Sequence, residues 1–123
     1  MTLELLGNEY SVYKFGPEYV MNHNFKSSEF FSITKTKDEL SIVAKENLFN
    51  DYLKVENGWK ILKINNILDF SLIGILSQIS TILANENISI FVISTYNTDY
   101  IMVKSENVNK AIEALLKNNY ILQ

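Results

Sequence analysis

Two short polar segments contain the residues whose types and spacing suit ligand binding. In the first, Asp69 and Ser71 precede an apolar helical pattern, and Gly74 falls in its first turn. The start of a helix leaves backbone N–H groups free and carries a partial positive charge, so it can hold a carboxylate. The segment Asp69-Phe70-Ser71-Leu72-Ile73-Gly74 is therefore a candidate anion site, although a plain helix cap at Asp69 or Ser71 explains the same residues.

The second segment runs from Ser94 to Asp99, between two apolar stretches. The Asp99 carboxylate can accept charge-assisted hydrogen bonds from an ammonium or guanidinium group, and the hydroxyls of Ser94, Thr95 and Thr98 add neutral donors and acceptors. The alternative is a turn whose hydroxyls bond only the local backbone. Together the two segments offer the partners of both signs that a free amino acid requires.

The rest of the composition argues against catalysis and against several classes of partner. Cysteine is absent and His23 is the single histidine, which disfavours a metal site, a bound cofactor and a nucleophilic triad. The net charge is −3 and Lys/Arg residues do not cluster, so we expect no nucleic-acid partner. Apolar runs are only a few residues long and no targeting leader is evident. We therefore expect a cytoplasmic protein with no membrane partner.

The second part of the chain has the pattern strand, helix, strand, strand, helix, strand. Strands are predicted at residues 59–65, 89–94 (expected to be central), 99–103 and 120–122. The helices carry apolar residues at helical spacing, with Asn107 as the cap of the second; these residues are Leu72, Ile75, Leu76, Ile79, Ile82, Leu83, Val108, Ala111, Ile112, Leu115 and Leu116. The pattern predicts an α+β fold of the ferredoxin-like βαββαβ type, an antiparallel sheet with both helices on one face. In it, the helices should pack against Ile61, Ile64, Ile90, Val92, Ile101 and Val103.

The first part is rich in strand signals, at residues 1–6, 10–14, 30–36 and 40–44, and the last two should form a hairpin. Pro17 is expected to begin a short helix that reaches Met21. We place the join at residues 55–58, which gives an N-terminal, partial unit at residues 1–57 and a complete unit at residues 58–123.

Residues 68–76 and 88–104 resemble a family of small bacterial tandem ACT-domain proteins, and residues 29–43 resemble the first half of the same family. The element Ser94-Thr95-Tyr96-Asn97-Thr98-Asp99 is similar to one in animal cytosolic arginine sensors, and ACT domains also form the regulatory end of aspartate kinases. The resemblance implies two ACT-like units per chain, amino-acid binding at an interface between units, and a homodimer. The chain departs from the family at Asn66-Ile67, where relatives often carry Gly-Pro.

Two hypotheses follow from the residues and the resemblance. The first is a non-catalytic small-molecule sensor or regulatory protein that binds an amino acid at an ACT unit or subunit interface. The second is a protein-interaction module whose pocket is vestigial. A buried polar pocket around Asp99 would favour the first hypothesis, and an apolar-filled one would favour the second.

Overall fold

The computed structural model describes residues 1–65 and 74–123, so the candidates Asp69, Phe70, Ser71, Leu72 and Ile73 lie outside the described residues. The strands are β1 (Thr2–Leu5), β2 (Tyr10–Phe15), β3 (Ser32–Lys35), β4 (Leu40–Lys45), β5 (Lys54–Ile64), β6 (Phe91–Ser94), β7 (Asp99–Lys104) and β8 (Ile121–Leu122). The helices are α1 (Ile75–Asn85) and α2 (Val108–Lys117), and a 3-10 turn at Ser105–Asn107 leads into α2.

The chain divides into two compact units. The helix-bearing unit comprises Met1–Gly7 and Trp59–Gln123, and the strand-rich unit comprises Asn8–Gly58. The division falls close to the expected join, but it assigns the first seven residues to the helix-bearing unit. The expected join at residues 55–58 lies inside β5.

In the helix-bearing unit the strand order is β8-β1-β5-β7-β6. Strands β5, β6, β7 and β8 with the two helices give the predicted βαββαβ order, and β1 is an additional strand between β5 and β8. The pairings of β5 with β1 and β7, and of β6 with β7, are antiparallel, whereas β8 runs parallel to β1. The ferredoxin-like α+β prediction is confirmed.

Both helices cover the same face of this sheet. Ile79 and Leu83 of α1 and Ala111 and Leu115 of α2 share one core, and all four are essentially inaccessible to solvent. The sheet contributes side chains that alternate along its strands to the same core: Leu3, Leu62, Ile64, Ile101 and Val103. A core shared by both helices and one set of alternating strand residues places the helices together on one side.

Both helices end at an asparagine in the left-handed conformation, with φ 60° at Asn87 and φ 71° at Asn119. Each following residue donates its N–H back to the carbonyl of the fifth residue before it, Ile88 to Leu83 and Tyr120 to Leu115. This is the Schellman arrangement, in which a buried apolar residue after the turn packs on the end of the helix. Ile88 and Tyr120 are both buried in the shared core, so the helix ends also fix the paths into β6 and β8.

Some of the predicted core contacts are wrong. Leu116 is 47% exposed, because it lies one position past the face of α2 that Leu115 buries. Ile61 is fully buried but pairs with Met102, whereas its neighbour Leu62 pairs with Ile101 in the core beneath the helices. Since successive strand residues face opposite sides, Ile61 points away from both helices.

Three local predictions also need correction. Strand β6, expected to be central, pairs only with β7 among the described strands and is an edge strand. Its apolar run reflects contact with Trp59 and with the core on its two faces. Pro17 begins a turn and no helix. Asn107 occupies the cap position of α2, but its side chain makes no capping hydrogen bond.

The strand-rich unit contains three antiparallel strands, and β4 lies between β3 and β2 in this set of strands. The predicted hairpin is confirmed, with Ser32 opposite Val43 and Lys35 opposite Leu40. One side of this set carries a core that contains Tyr13, Phe15 and Phe49. His23 is half-buried, and its ring stacks on Phe31 and meets Phe49 edge-on.

The two neighbouring leucines of α2 provide a matched test of the packing. We expect Leu115→Ala to lower the free energy of unfolding by roughly 2–5 kcal/mol, because it opens a cavity in a closed core. Leu116→Ala should change it by no more than about 0.5 kcal/mol, as surface substitutions usually do. Urea unfolding of both variants measures the difference, and equal losses would contradict the assigned orientation of α2.

Candidate functional site

The topology brings the described residues of the two candidate segments to one end of the helix-bearing unit. Strands β5 and β6 are both antiparallel to β7, so they run parallel to each other and end on the same side, at Ile64 and Ser94. Helix α1 must return from the end of β5 to the start of β6, so its first turn, after Gly74, also lies on that side. The start of α1, the end of β5 and the turn from Ser94 to Asp99 therefore share one end of the sheet.

Gly74 occupies the N-cap position of α1 with φ 83°. This left-handed angle, which glycine adopts without strain, lies outside the right-handed helical region, so Gly74 precedes the first turn of the helix rather than lying within it. The first helical hydrogen bond runs from the Gln78 N–H to the Gly74 carbonyl, at 2.9 Å. The N–H groups of Ile75, Leu76 and Ser77 have no partner within the helix, and no acidic residue lies in the first turn. This helix end therefore keeps its partial positive charge.

The turn between β6 and β7 is closed by its own threonines. The Thr95 N–H and hydroxyl both donate to the Thr98 carbonyl, at 2.9 and 3.0 Å, and the Thr98 N–H donates to the Thr95 hydroxyl at 3.3 Å. Tyr96, at the tip, is 83% exposed. The Thr95 hydroxyl thus performs the structural role that sequence reasoning held open as the alternative.

The hydroxyl of Thr98 connects this turn to the end of β5. Thr98 is 4% exposed, and its Oγ1 donates to the carbonyl of Ile64 at 2.7 Å. Ile64 is the last residue of β5, close to the start of the candidate anion segment in the sequence. This buried bond fixes the position of the turn, and with it Asp99, relative to the point where the chain leaves the sheet.

Asp99 is the acidic group of the site. It begins β7 opposite Ser94, and it is two residues before Ile101, so its side chain points to the face that the helices cover. The carboxylate is half-buried and makes no hydrogen bond or ion pair with any residue in 1–65 or 74–123. A half-buried carboxylate without a partner is available to a cationic group.

Of the candidate residues, the described ones are Gly74, Ser94, Thr95, Thr98 and Asp99, and all five lie at this end of the unit. In the parts of the chain that the structure covers, no three His, Cys, Asp or Glu side chains gather closely enough to hold a metal ion. Nor does any described helix have the length and apolarity needed to cross a membrane.

Comparison with known proteins adds family information to this geometry. A family model described as "ACT domain" matches residues 54–117, more than half of the chain. A second family model, described as an N-terminal domain, matches residues 8–50. Curated relatives include the "Cytosolic arginine sensor for mTORC1 subunit 1" of Homo sapiens, 26% identical over 98 residues, and its Bos taurus counterpart, 25% identical over 100 residues. The matches cover 71% and 72% of this chain but only 30% of each relative, so the chain spans about a third of their length.

Solved structures share the fold. An Agobacterium tumefaciens protein superposes with a TM-score of 0.89 at 28% identity, covering 99% of this chain and 91% of that one. A Vibrio cholerae protein gives a TM-score of 0.72 at 20% identity, with 94% and 88% covered. The aspartokinase alpha and beta subunits give 0.66 at 11% identity, with 95% and 96% covered, a likeness of fold alone.

The Thr98 bond generates a direct test. Thr98→Val keeps the shape of the side chain but removes the donor, so the buried Ile64 carbonyl loses its partner. We expect this change to lower the free energy of unfolding by about 1–3 kcal/mol. Thr98→Ser, which keeps the hydroxyl, should retain most of the stability. Urea unfolding of both variants tests the bond, and a Val variant as stable as the wild type would remove its structural role.

Proposed function

Because the chain belongs to the ACT-domain family, we propose that it is a non-catalytic sensor or regulatory protein that binds an amino acid at an ACT unit or subunit interface. The observation that carries this proposal is the Asp99 carboxylate, half-buried on the helix side of the sheet and unpaired among the described residues.

Asp99 would receive the cationic part of the ligand. Transferring an ammonium or guanidinium group out of water costs several kcal/mol unless a charged partner replaces the lost hydration. A carboxylate with no competing partner among the described residues supplies that interaction through charge-assisted hydrogen bonds. Ser94, directly opposite on β6, adds a hydroxyl at the same end.

The start of α1 would receive the ligand carboxylate. Gly74 brings no side chain to this point, and the N–H groups of the next three residues are free of helical partners. The segment of residues 69–73, which precedes Gly74, is proposed to complete this half of the site. Partners of opposite sign at one end of the unit match the two charges that every free amino acid carries.

Arginine is the first ligand to examine. The curated relatives are arginine sensors by name, and their similarity spans about 70% of this chain. A guanidinium can engage one carboxylate through two parallel hydrogen bonds, which suits the single acidic group at this end. A thermal-shift screen with every proteinogenic amino acid tests this choice against the others, since a ligand selective for the folded state raises the melting temperature.

A second copy of the chain is the proposed partner at the interface. The outer edge of β6 presents backbone N–H and C=O groups that pair with no described strand. Half-buried apolar residues Phe91, Val92 and Ile93 line this edge strand. An open, apolar edge favours pairing with another chain, so we propose a homodimer in which ACT units associate across it.

Removing the charge of Asp99 tests the proposed cation site. Asp99→Asn should leave the fold nearly intact and weaken binding of L-arginine, or of the amino acid that the screen selects, by roughly 2–5 kcal/mol. Isothermal calorimetry measures the loss. Asp38→Asn, an exposed change in the β3–β4 turn, is the matched control and should bind like the wild type.

Two results would contradict the proposal at different levels. Unchanged affinity in Asp99→Asn would show that Asp99 does not receive the cation. Absence of any amino-acid binding at millimolar concentration would reject the sensor function and favour an interaction module with a vestigial pocket.

Light scattering tests the dimer. We expect a mass of about twice 14.2 kDa for the wild type. Ile93→Lys should shift the protein toward the monomer, because an edge lysine blocks strand pairing. Asn97→Lys adds the same charge in the neighbouring turn and should leave the mass unchanged. A monomeric wild type at high micromolar concentration would count against the homodimer.

A further inference from the structure

A cavity of about 250 Å³ lies wholly within the strand-rich unit, far in sequence from the proposed amino-acid site. Its lining includes two aromatic residues, Tyr10 and Phe30, which are 1% and 8% exposed. Their rings meet edge-on with centroids 6.1 Å apart. The cavity therefore has a rigid, buried aromatic wall, as binding pockets for small molecules commonly do.

Two oppositely charged residues, Glu29 and Lys45, line the same cavity, and both are exposed. Lys45 is the cross-strand partner of Tyr10, so the two side chains leave the sheet on the same face. Glu29 immediately precedes Phe30 in the chain. Burial, with the nearby Glu29 charge as a second cause, raises the pKa of Tyr10 and keeps its phenol neutral. Both charged groups thus adjoin the Tyr10 ring.

Neither charge is neutralised by the protein. The structure gives Glu29 and Lys45 no ion pair with each other or with another described residue, although they line one small cavity. Hydroxyl and amide groups of Ser27, Ser28 and Asn24 complete the polar side of the lining. Groups of this kind bond a polar substituent rather than an apolar one.

We propose that this cavity is a binding site for a small zwitterion, a polar amino acid of about the size of serine. The ligand ammonium would contact Glu29, its carboxylate would contact Lys45, and the hydroxyl of its side chain would reach the serines and asparagine. A ligand with both charges can contact the two exposed side chains at once, whereas a singly charged ligand contacts only one of them. The volume lies below the roughly 300–1,000 Å³ of drug-sized pockets, which excludes large ligands.

The site is separate from the one proposed around Asp99 and shares no residue with it. His23 lines the cavity while its ring packs on Phe31 and Phe49, which holds this part of the wall in place. Binding at this cavity is therefore independent of amino-acid binding at the helix-bearing unit.

The test is an NMR titration of the ¹⁵N-labelled full chain with three probes: L-serine, ethanolamine and glycerate. Ethanolamine lacks the carboxylate of serine and glycerate lacks its ammonium group. We expect saturable amide shifts at residues 8–10, 23–30 and 45–48 with serine alone. Binding of either singly charged probe as tightly as serine would overturn the zwitterion assignment, and no saturable shift at millimolar serine would overturn the site.

Charge-removing variants locate the binding. Glu29→Gln and Lys45→Met should each weaken serine binding roughly ten- to hundredfold, the loss expected for one charged hydrogen bond. Asp38→Asn and Lys37→Met, matched changes at exposed positions of the β3–β4 turn, should bind like the wild type. Both test substitutions are at exposed side chains, and the dispersion of the same NMR spectrum shows whether each variant is folded.

The Asp99→Asn variant distinguishes binding at this cavity from binding at the site proposed around Asp99. Serine binding should be unchanged in that variant, even if arginine binding is lost. Serine-induced shifts confined to residues 94–99, or unaltered affinity in both Glu29→Gln and Lys45→Met, would reject the cavity as the binding site.

Discussion

The antiparallel pairing of β5 with β7 is the interaction on which the helix-bearing unit depends. Leu62 and Ile101 face each other on one side and Ile61 and Met102 on the other, and all four side chains are fully buried. A one-residue shift in register would move every side chain to the opposite face and disrupt the close packing on both sides, so the register is strongly specified. The fixed register in turn sets where β5 ends and β7 begins, which is where Ile64, Thr98 and Asp99 meet.

Sequence periodicity predicted the order of elements in this unit, because two helices of strong apolar spacing alternate with short strands. Asparagine tolerates the left-handed conformation, and both helices end at an asparagine in that conformation, Asn87 and Asn119. The periodicity failed to distinguish the two faces of β5, where Ile61 and Leu62 are adjacent and equally apolar. It also failed for β6, whose apolar run is the same whether a strand has one neighbour or two.

The candidate site residues also divide into those that the sequence reveals and those that it does not. The segment from Ser94 to Asp99 can be recognised in the sequence because hydroxyl and carboxylate side chains occur close together there, at Ser94, Thr95, Thr98 and Asp99. The structure places these residues together. That Thr98 bonds Ile64 depends on pairing between residues 34 positions apart, which no local pattern records. Glu29 and Lys45 lie in separate segments of ordinary charged sequence, and only the pairing of Tyr10 with Lys45 brings them to one cavity. Tertiary proximity of this kind lies beyond what spacing alone predicts.

The place of β1 in the sheet affects the order in which the protein folds during synthesis. Thr2 pairs with Ile121, and the Gln123 N–H donates to the Leu3 carbonyl, so β1 stays without its outer neighbour until residue 122 has been synthesised. Contacts between residues so distant in sequence form late, since closing the long intervening loop costs entropy before any pairing is gained. The strand-rich unit comprises residues 8–58, and its β2–β4 and β3–β4 pairings join residues much closer in sequence. We therefore expect synthesis on the ribosome to yield this unit first, with the sheet of the helix-bearing unit completed only after β8 emerges.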